Sequence, residues 1–165
     1  MANMLGASAV LCQFRLPGRR VKPMTEMKFT GTAPPASPAA DIADAVKVIY
    51  LVSGIPADRL LIGYISRVSA GLSALYCTYG DDRPIAAAAA DYIYNGEAVL
   101  GSVSVLRTER GRHLGFSLAA GAAACYKAGY LICEPELAPH YAEAGFTKTG
   151  DLFLNITEGT RPHAS

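Results

Sequence analysis

A chain of 165 residues is long enough for one domain with a full hydrophobic core and too short for two domains of ordinary size. Its formal net charge of +1 excludes a broad electrostatic attraction to nucleic acid or to an anionic membrane, although a local basic patch remains open. Its longest apolar run is shorter than the roughly 18 residues that a membrane-spanning helix needs. The four cysteines have no zinc-site spacing, so we expect free thiols, no metal and a cytoplasmic location: Cys12, Cys77, Cys125 and Cys133.

Residues 1–37 differ in composition from the rest of the chain. Residues 1–25 contain four basic side chains and no acid, and residues 31–38 contain three prolines. Such a segment is an organelle transit peptide, a disordered extension, or the result of a start codon upstream of Met24 or Met27. We interpret residues 1–37 as a disordered extension, 38–158 as the domain and 159–165 as a flexible tail.

From residue 41 onward, helical and strand patterns follow one another. The alanine run 86–90 would be helical on propensity alone, but it lies between two turn signals, so we interpret it as strand. Asn95-Gly96 is a strong hairpin signal. The order predicts a layered α/β or α+β domain. The predicted helices are 41–52, 57–68, one from 111 to Gly129, and 139–144; the predicted strands are 72–79, 85–94, 97–106, 130–133 and, as one bent strand or a hairpin, 146–156.

A basic, glycine-containing turn joins the strand 97–106 to the next helix. The first N–H groups of a helix have no internal partner and carry the positive end of the helix dipole, so such a turn suits an anion, most often phosphate. Arg110 and Arg112 add positive charge, and Gly111 and Gly115 leave room. An ordinary turn with exposed arginines explains the same residues equally well. The sequence contains neither a P-loop nor a Rossmann fingerprint.

Two motifs carry a family resemblance. Arg110-Gly-Arg-His-Leu-Gly115 resembles the (Arg/Gln)-x-x-Gly-x-(Gly/Ala) pyrophosphate loop of the GCN5-related N-acetyltransferases (GNAT), and Tyr141-Ala-Glu-Ala-Gly-Phe146 resembles that family's Tyr-x-x-x-Gly-Phe segment. The resemblance covers about residues 39–156. It implies a mixed, mostly antiparallel sheet with helices on both faces, and transfer of an acetyl group from acetyl-CoA to a primary amine. His113 departs from the family's glycine, and its side chain either crowds the pyrophosphate or donates to it.

The resemblance also implies roles for individual residues. Strand 103–106 would part from strand 130–133 to admit the pantetheine arm, and Tyr141 would protonate the departing thiolate. The residues implied in cofactor binding are Val105 and Leu106 through their backbone, the amides of Gly111, Arg112, His113, Leu114 and Gly115, and the side chains of Arg110 and Arg112.

The general base and the acceptor site are less defined. Glu97 is the first candidate base, because the resemblance places it close to where some relatives carry a catalytic glutamate, and simple alternation along the strand puts it on the face of Val103 and Val105. Glu134 is the second, although both could be solvated charges and water could take the proton instead. Asp91 could line the acceptor site together with Tyr92 and Tyr94, or these residues could simply cover the sheet.

Three functions therefore stay open. The first is an N-acetyltransferase acting on a small-molecule or protein amine, with a homodimer possible by analogy. The second is a non-catalytic CoA-binding or regulatory domain of the same fold. The third is a nucleic-acid-modifying or tRNA-directed enzyme whose basic N-terminal arm contacts phosphates, which the domain charge argues against. We expect no membrane partner.

Overall fold

A seven-stranded sheet runs through residues 9–156, the part of the chain that the computed structural model describes. No helix in this part is long and apolar enough to cross a membrane. The strands are β1 (Ala9–Cys12), β2 (Arg20–Phe29), β3 (Ala74–Gly80), β4 (Arg83–Tyr94), β5 (Glu97–Val105), β6 (Ala128–Cys133) and β7 (Phe146–Ile156), and the helices are α1 (Ile42–Ser53), α2 (Ala57–Ser69), α3 (Leu114–Ala123) and α4 (Ala138–Glu143).

The strand order is β1-β7-β2-β6-β5-β4-β3, and β5 and β6 form the one parallel pair among the described strands. Helices α1 and α2 cover one face, where they share a buried cluster with alternate residues of β3 and β4. Helices α3 and α4 cover the other face and enclose the larger cluster. The mixed sheet with helices on both faces is the predicted fold class.

The first two strands correct the expectation that residues 1–37 lie outside the domain. β2 lies between β6 and β7, and its Met27 is 1% exposed and faces Leu131 of β6. The proline-rich segment 31–38 also packs on the domain, since the Ala36 N–H donates to the Gly121 carbonyl (2.9 Å). The prediction failed because β2 has exposed basic residues among few apolar ones, which resembles the composition of an extension. The predicted tail, 159–165, lies outside the described residues.

Local signals place α1 and α2 as predicted. Asp41 begins α1, its carboxylate accepting the Ala43 N–H (2.9 Å), and Gly54 ends the helix in a left-handed conformation with φ 72°. α1 then buries four apolar side chains against the sheet, and α2 buries Tyr64 beside them. Both helices therefore pack on the same face of the sheet, over β3 and β4.

The alanine run in β4 is a strand, as predicted. All five residues Ala86–Ala90 are fully buried, with Ala86, Ala88 and Ala90 toward α3 and the other two toward α1. Burial on both faces outweighs the helical propensity of alanine, and the small side chains bring helices and sheet close together. The turn into β5 uses Asn95 and Gly96, both with positive φ, as its sequence predicted.

The predicted end of α3 at Gly129 is wrong. The helix ends at Ala123, and Gly129 belongs to β6. A Cβ built on Gly129 would lie 2.5 Å from the Ala123 Cβ, so glycine is required there for close approach of strand and helix rather than to end the helix. The segment 146–156 is one strand, β7, with an irregularity opposite Glu26, which confirms the bent-strand alternative.

Candidate active site

A gap opens in the sheet where β5 leaves β6. The two strands pair only from Glu97 and Ala128 to Leu100 and Leu131, although both continue beyond this point. Across β4, Ala90 faces Leu100 while Ala88 faces Val103, so β5 has one extra residue between these positions. This β-bulge bends β5 away from its parallel neighbour.

The open part of β5 turns main-chain groups toward the gap. The Leu106 N–H donates to Ile85 (3.0 Å), and the Leu106 carbonyl accepts from the Glu109 N–H (2.9 Å). Because hydrogen-bonded and non-bonded pairs alternate along an antiparallel ladder, Val103 and Val105 direct their N–H and C=O groups away from β4. Val105 therefore turns its backbone groups toward the gap, whereas Leu106 has its own engaged elsewhere. Val103, which the prediction placed in the opening strand without a backbone role, turns its groups toward the gap as well.

The turn from β5 into α3 leaves a series of donors without acceptors. No acceptor in residues 9–156 takes the N–H groups of residues 111–116, and the first internal bond runs from Ser117 to the His113 carbonyl (3.1 Å). Gly111 (φ 83°) and His113 (φ 55°) have left-handed conformations, which curl the main chain before the helix. Unpaired amides in such a curl at a helix N-terminus suit an anion.

The two arginines of this turn differ in their partners. Arg110 lines the adjoining cavity and forms no ion pair within residues 9–156. Arg112 is bound to the Glu109 carboxylate (Nη1 to Oε2, 2.9 Å), and Arg83 lies 3.8 Å from the same carboxylate. Glu109 also lines the cavity, a position that no motif in the sequence indicates. Of the two arginines in the motif 110–115, Arg110 is therefore the one that has its charge free among the described residues.

A cavity of about 490 Å³ follows the gap. Val52 of α1 reaches it from one face of the sheet, whereas Leu114 of α3 and Tyr141 of α4 reach it from the other. The cavity therefore joins the two faces through the opening between β5 and β6. Its lining residues are Val52, Val103, Val105, Glu109, Arg110, Gly111, His113, Leu114, Gly115, Phe116, Leu137 and Tyr141.

Tyr141 is fixed in this cavity by aromatic packing. Its ring makes edge contacts with Phe116 (4.9 Å between centroids) and Phe146 (5.6 Å), and its side chain is 7% exposed. Its hydroxyl has no hydrogen-bond partner within residues 9–156, and no side-chain oxygen there is both fully buried and unpaired, so the hydroxyl opens into the cavity. Burial, with a smaller effect of Cys133, raises the pKa of Tyr141 to about 12, which keeps it protonated.

Comparison with known proteins gives structural relatives alone. No family model matches the sequence, and no curated protein matches it significantly. A protein of Novosphingobium aromaticivorans assigned to the GNAT acetyltransferases superimposes with a TM-score of 0.64 at 19% identity, over 90% of this chain and 72% of that one. A GCN5-related N-acetyltransferase of Sphaerobacter thermophilus gives 0.63 at 19% identity, over 84% and 52%. This chain has the GNAT fold.

A third structure adds a ligand to the comparison. An acetyltransferase assigned from Clostridium acetobutylicum, solved with acetyl-CoA, superimposes with a TM-score of 0.52 at 15% identity, over 76% of this chain and 91% of that one. In the GNAT fold of the present chain, the gap, the free amides and Tyr141 lie around one cavity, so the two sequence motifs meet in space. At these identities the likeness extends to the fold, and the chemistry has to be argued from the site.

The two candidate bases lie away from this cavity. Ala98 and Leu100 share a buried cluster with Val103, which the bulge makes possible by reversing the alternation, so Glu97 lies on the opposite face from Val103. Glu97 is also exposed and about 20 Å along the strand from Val103. This placement corrects the prediction of Glu97 as base. Glu134 is bound to Lys22 (2.6 Å) and does not line the cavity.

His113 shows why this position of the GNAT loop favours glycine. Its φ of 55° is left-handed, which glycine adopts freely and other residues adopt at a cost of about 1–2 kcal/mol. The exposed imidazole lies 6.2 Å from the Phe116 ring, beside the amides rather than on them as a helix cap. His140 is exposed and packs on Phe116, with 5.4 Å between the ring centroids.

Proposed function

We propose that the protein is an N-acetyltransferase that moves an acetyl group from acetyl-CoA to a primary amine. The observation that carries the proposal is the series of free amides at residues 111–116, next to a cavity that passes through the sheet. Unpaired donors of this kind are costly to a folded chain unless water or a ligand engages them, and a diphosphate is a suitable ligand.

Each part of CoA has a suitable counterpart in the site. The loop amides and the Arg110 guanidinium would bind the diphosphate, since charge-assisted hydrogen bonds to phosphate are the stronger kind. The main-chain groups of Val103 and Val105 would pair with the pantetheine amides as a short added strand does. The apolar side chains around the gap, such as Leu114, suit the aliphatic segments between these amides.

The reaction then proceeds by direct attack. The amine nitrogen forms a bond to the thioester carbon, and a gap-facing N–H of β5 stabilises the resulting oxyanion. When the carbon–sulfur bond breaks, the thiolate takes the proton of the Tyr141 hydroxyl, the nitrogen loses a proton to water as the amide forms, and water returns a proton to Tyr141. The amine first loses its own proton through water, because neither Glu97 nor Glu134 lines the cavity and the carboxylate of Glu109, which does, is bound to Arg112.

Acetyl-CoA binding is the first test. At a hundred times its dissociation constant, acetyl-CoA should raise the free energy of unfolding by about 2.7 kcal/mol. Pantetheine, which lacks the diphosphate, serves as the matched control and should stabilise far less. Thiol release in the presence of primary amines then tests the enzymatic part. An unchanged melting temperature with acetyl-CoA would contradict the proposal.

A non-catalytic CoA-binding domain is the second candidate. The position of both predicted bases away from the cavity favours it, as does a side chain where the family has glycine. It predicts the same stabilisation by acetyl-CoA without thiol release for any amine. The two candidates therefore separate on the turnover assay and not on the binding assay.

A further inference from the structure

A carboxylate lies over β5 at the point where the gap begins. Gly101 is the first residue of β5 beyond its last pair with β6. A Cβ built on Gly101 would coincide with Oδ2 of Asp91, which reaches across from β4. Glycine at position 101 is therefore what allows the Asp91 carboxylate to occupy this place.

The Asp91 side chain is fixed by one oxygen and leaves the other free. The Tyr64 hydroxyl donates to Oδ1 (2.8 Å). Burial of Tyr64, followed by the nearby charge of Asp91, raises the pKa of Tyr64 to about 12, so that it remains a donor. Oδ2 accepts no hydrogen bond from residues 9–156, and the Asp91 side chain is 20% exposed. A small ligand can therefore reach an oriented carboxylate oxygen.

Arg67 neutralises this carboxylate incompletely. It donates to the main-chain carbonyls of Gly63 (3.3 Å) and Asp91 (3.5 Å), and its guanidinium lies over the Tyr64 ring. Its nearest approach to the carboxylate is 3.8 Å, to the oxygen that Tyr64 already occupies. Oδ2 consequently keeps its capacity to accept from a cation.

Asp91 and Tyr141 flank the gap from opposite faces of the sheet. Tyr64 packs in the cluster under α1 and α2, so the carboxylate that it holds lies on that face. Tyr141 lies in the cluster under α3 and α4. Val52 extends the cavity to the α1 face, and Asp91 lies on that face over Gly101, two residues before the cavity-lining Val103. An acceptor that enters from the α1 face would pass Asp91, while the leaving thiolate meets Tyr141.

We infer that Asp91 binds the ammonium group of an alkylamine acceptor through Oδ2, and that Tyr64 positions the carboxylate. This inference rests on the proposed function and names its acceptor class. It adds a specificity-determining residue next to the start of the gap, over Gly101 and outside the residues that line the cavity, whereas Glu97 begins the strand and Glu134 is bound to Lys22. The alternative is that the bond from Tyr64 merely fastens α2 to β4.

Asp91→Asn separates these roles, because its amide oxygen can still accept from Tyr64 while its charge is lost. The probes are 1,4-diaminobutane, a cation at pH 8, and 4-methoxyaniline, which is neutral there. For the variant we expect the KM for the diamine to rise about tenfold or more, because a charge-assisted hydrogen bond to the ammonium group is lost. The KM for the arylamine should change by about twofold at most, and the KM for acetyl-CoA should stay constant. Tyr64→Phe, which keeps the charge, should raise the KM for the diamine by a smaller factor.

The other outcomes of these measurements would each contradict a named part of the inference. An unchanged KM for the diamine, or an equal rise for both amines, would overturn the role of Asp91. Transfer to neither amine by a protein that acetyl-CoA stabilises would overturn the alkylamine class and leave CoA binding intact. Failure of acetyl-CoA to bind would remove the proposed function itself, and this inference with it.

Discussion

The two halves of β5 differ in what they do with their main chain. From Glu97 to Leu100 the strand is paired on both sides, and Ala98 and Leu100 are buried at 1% and 2% exposure. From Val103 to Val105 it is paired with β4 alone. The bulge between the halves separates the paired interior of the sheet from the cavity wall within one strand. The site thus arises because a strand loses its partner.

The largest effect of a single substitution is expected beside the open half of β5, where the loss of the Tyr141 hydroxyl should lower kcat. Tyr141→Phe removes the proton donor and keeps the ring that packs on Phe116. We expect kcat to fall about 100-fold or more with an unchanged dissociation constant for acetyl-CoA. Steady-state kinetics and a binding titration measure the two quantities. Wild-type turnover in the variant at pH 7 would remove Tyr141 from the reaction.

The same residue gives a pH prediction. Because the pKa of Tyr141 is raised to about 12, its hydroxyl stays protonated through the range in which an ordinary tyrosine ionises, near pH 10. Loss of activity through this group should therefore begin above about pH 11. By linkage, its contribution to stability is present below pH 10 and is lost as pH rises toward 12. A kcat that declines by half near pH 10 with the fold intact would contradict the buried position.

The loop that follows the open half can be tested with its two arginines. Arg110→Ala should weaken acetyl-CoA binding about tenfold, because Arg110 has no competing partner among the described residues. Arg112→Ala is the matched control and should cost less than about threefold, because Arg112 is bound to Glu109. Isothermal titration at low salt measures both. The reverse order would show that Arg112 exchanges Glu109 for the ligand.

The paired half should instead show its importance in stability. Gly129 faces Ala98, and Gly129→Ala places a Cβ 2.5 Å from the Ala123 Cβ, so we expect a loss of about 1–3 kcal/mol in the free energy of unfolding. Gly63→Ala in α2 is the control: a Cβ there meets nothing within 4 Å, and stability should rise by up to about 1 kcal/mol. Urea denaturation measures both. Equal effects would mean that strand and helix are not in close contact.

The smallest effect is expected at His113. His113→Gly relieves a left-handed conformation but frees the unfolded chain, so stability should change by less than about 1 kcal/mol. His113→Val, which is β-branched, should cost more than that. If the imidazole crowds the diphosphate, His113→Gly tightens acetyl-CoA binding, and if it donates a hydrogen bond, binding weakens. A titration separates these alternatives.

The sequence predicted the parts of this molecule that local chemistry determines. Asp41 and Gly54 delimit α1, and Asn95-Gly96 forms the turn before β5. The fold was predicted from two motifs, the loop from Arg110 to Gly115 and the segment that begins at Tyr141. Both could be recognised because each consists of contiguous residues. The structure brings them to one cavity.

The parts that failed depend on distant pairing. β2 has a weak pattern of its own and is recognisable mainly by its place between β6 and β7. Glu97 was misplaced because a one-residue bulge reverses the facing of every side chain beyond it. A glycine at position 101 does not by itself predict such a bulge. Leu106 was misplaced for a related reason, since the choice of which residues turn toward the gap depends on the register with β4.

The position of β2 has a consequence for biosynthesis. Its Met27 faces Leu131, and its Lys22 faces Leu154, so the strand is synthesised long before either of its neighbours. Contacts between residues that lie far apart along the chain slow folding. Until they form, the unpaired edges of β2 can pair with strands of other chains. A nascent chain arrested after β5 therefore cannot complete its sheet, and a ribosome-bound intermediate of that length should be a target for chaperones.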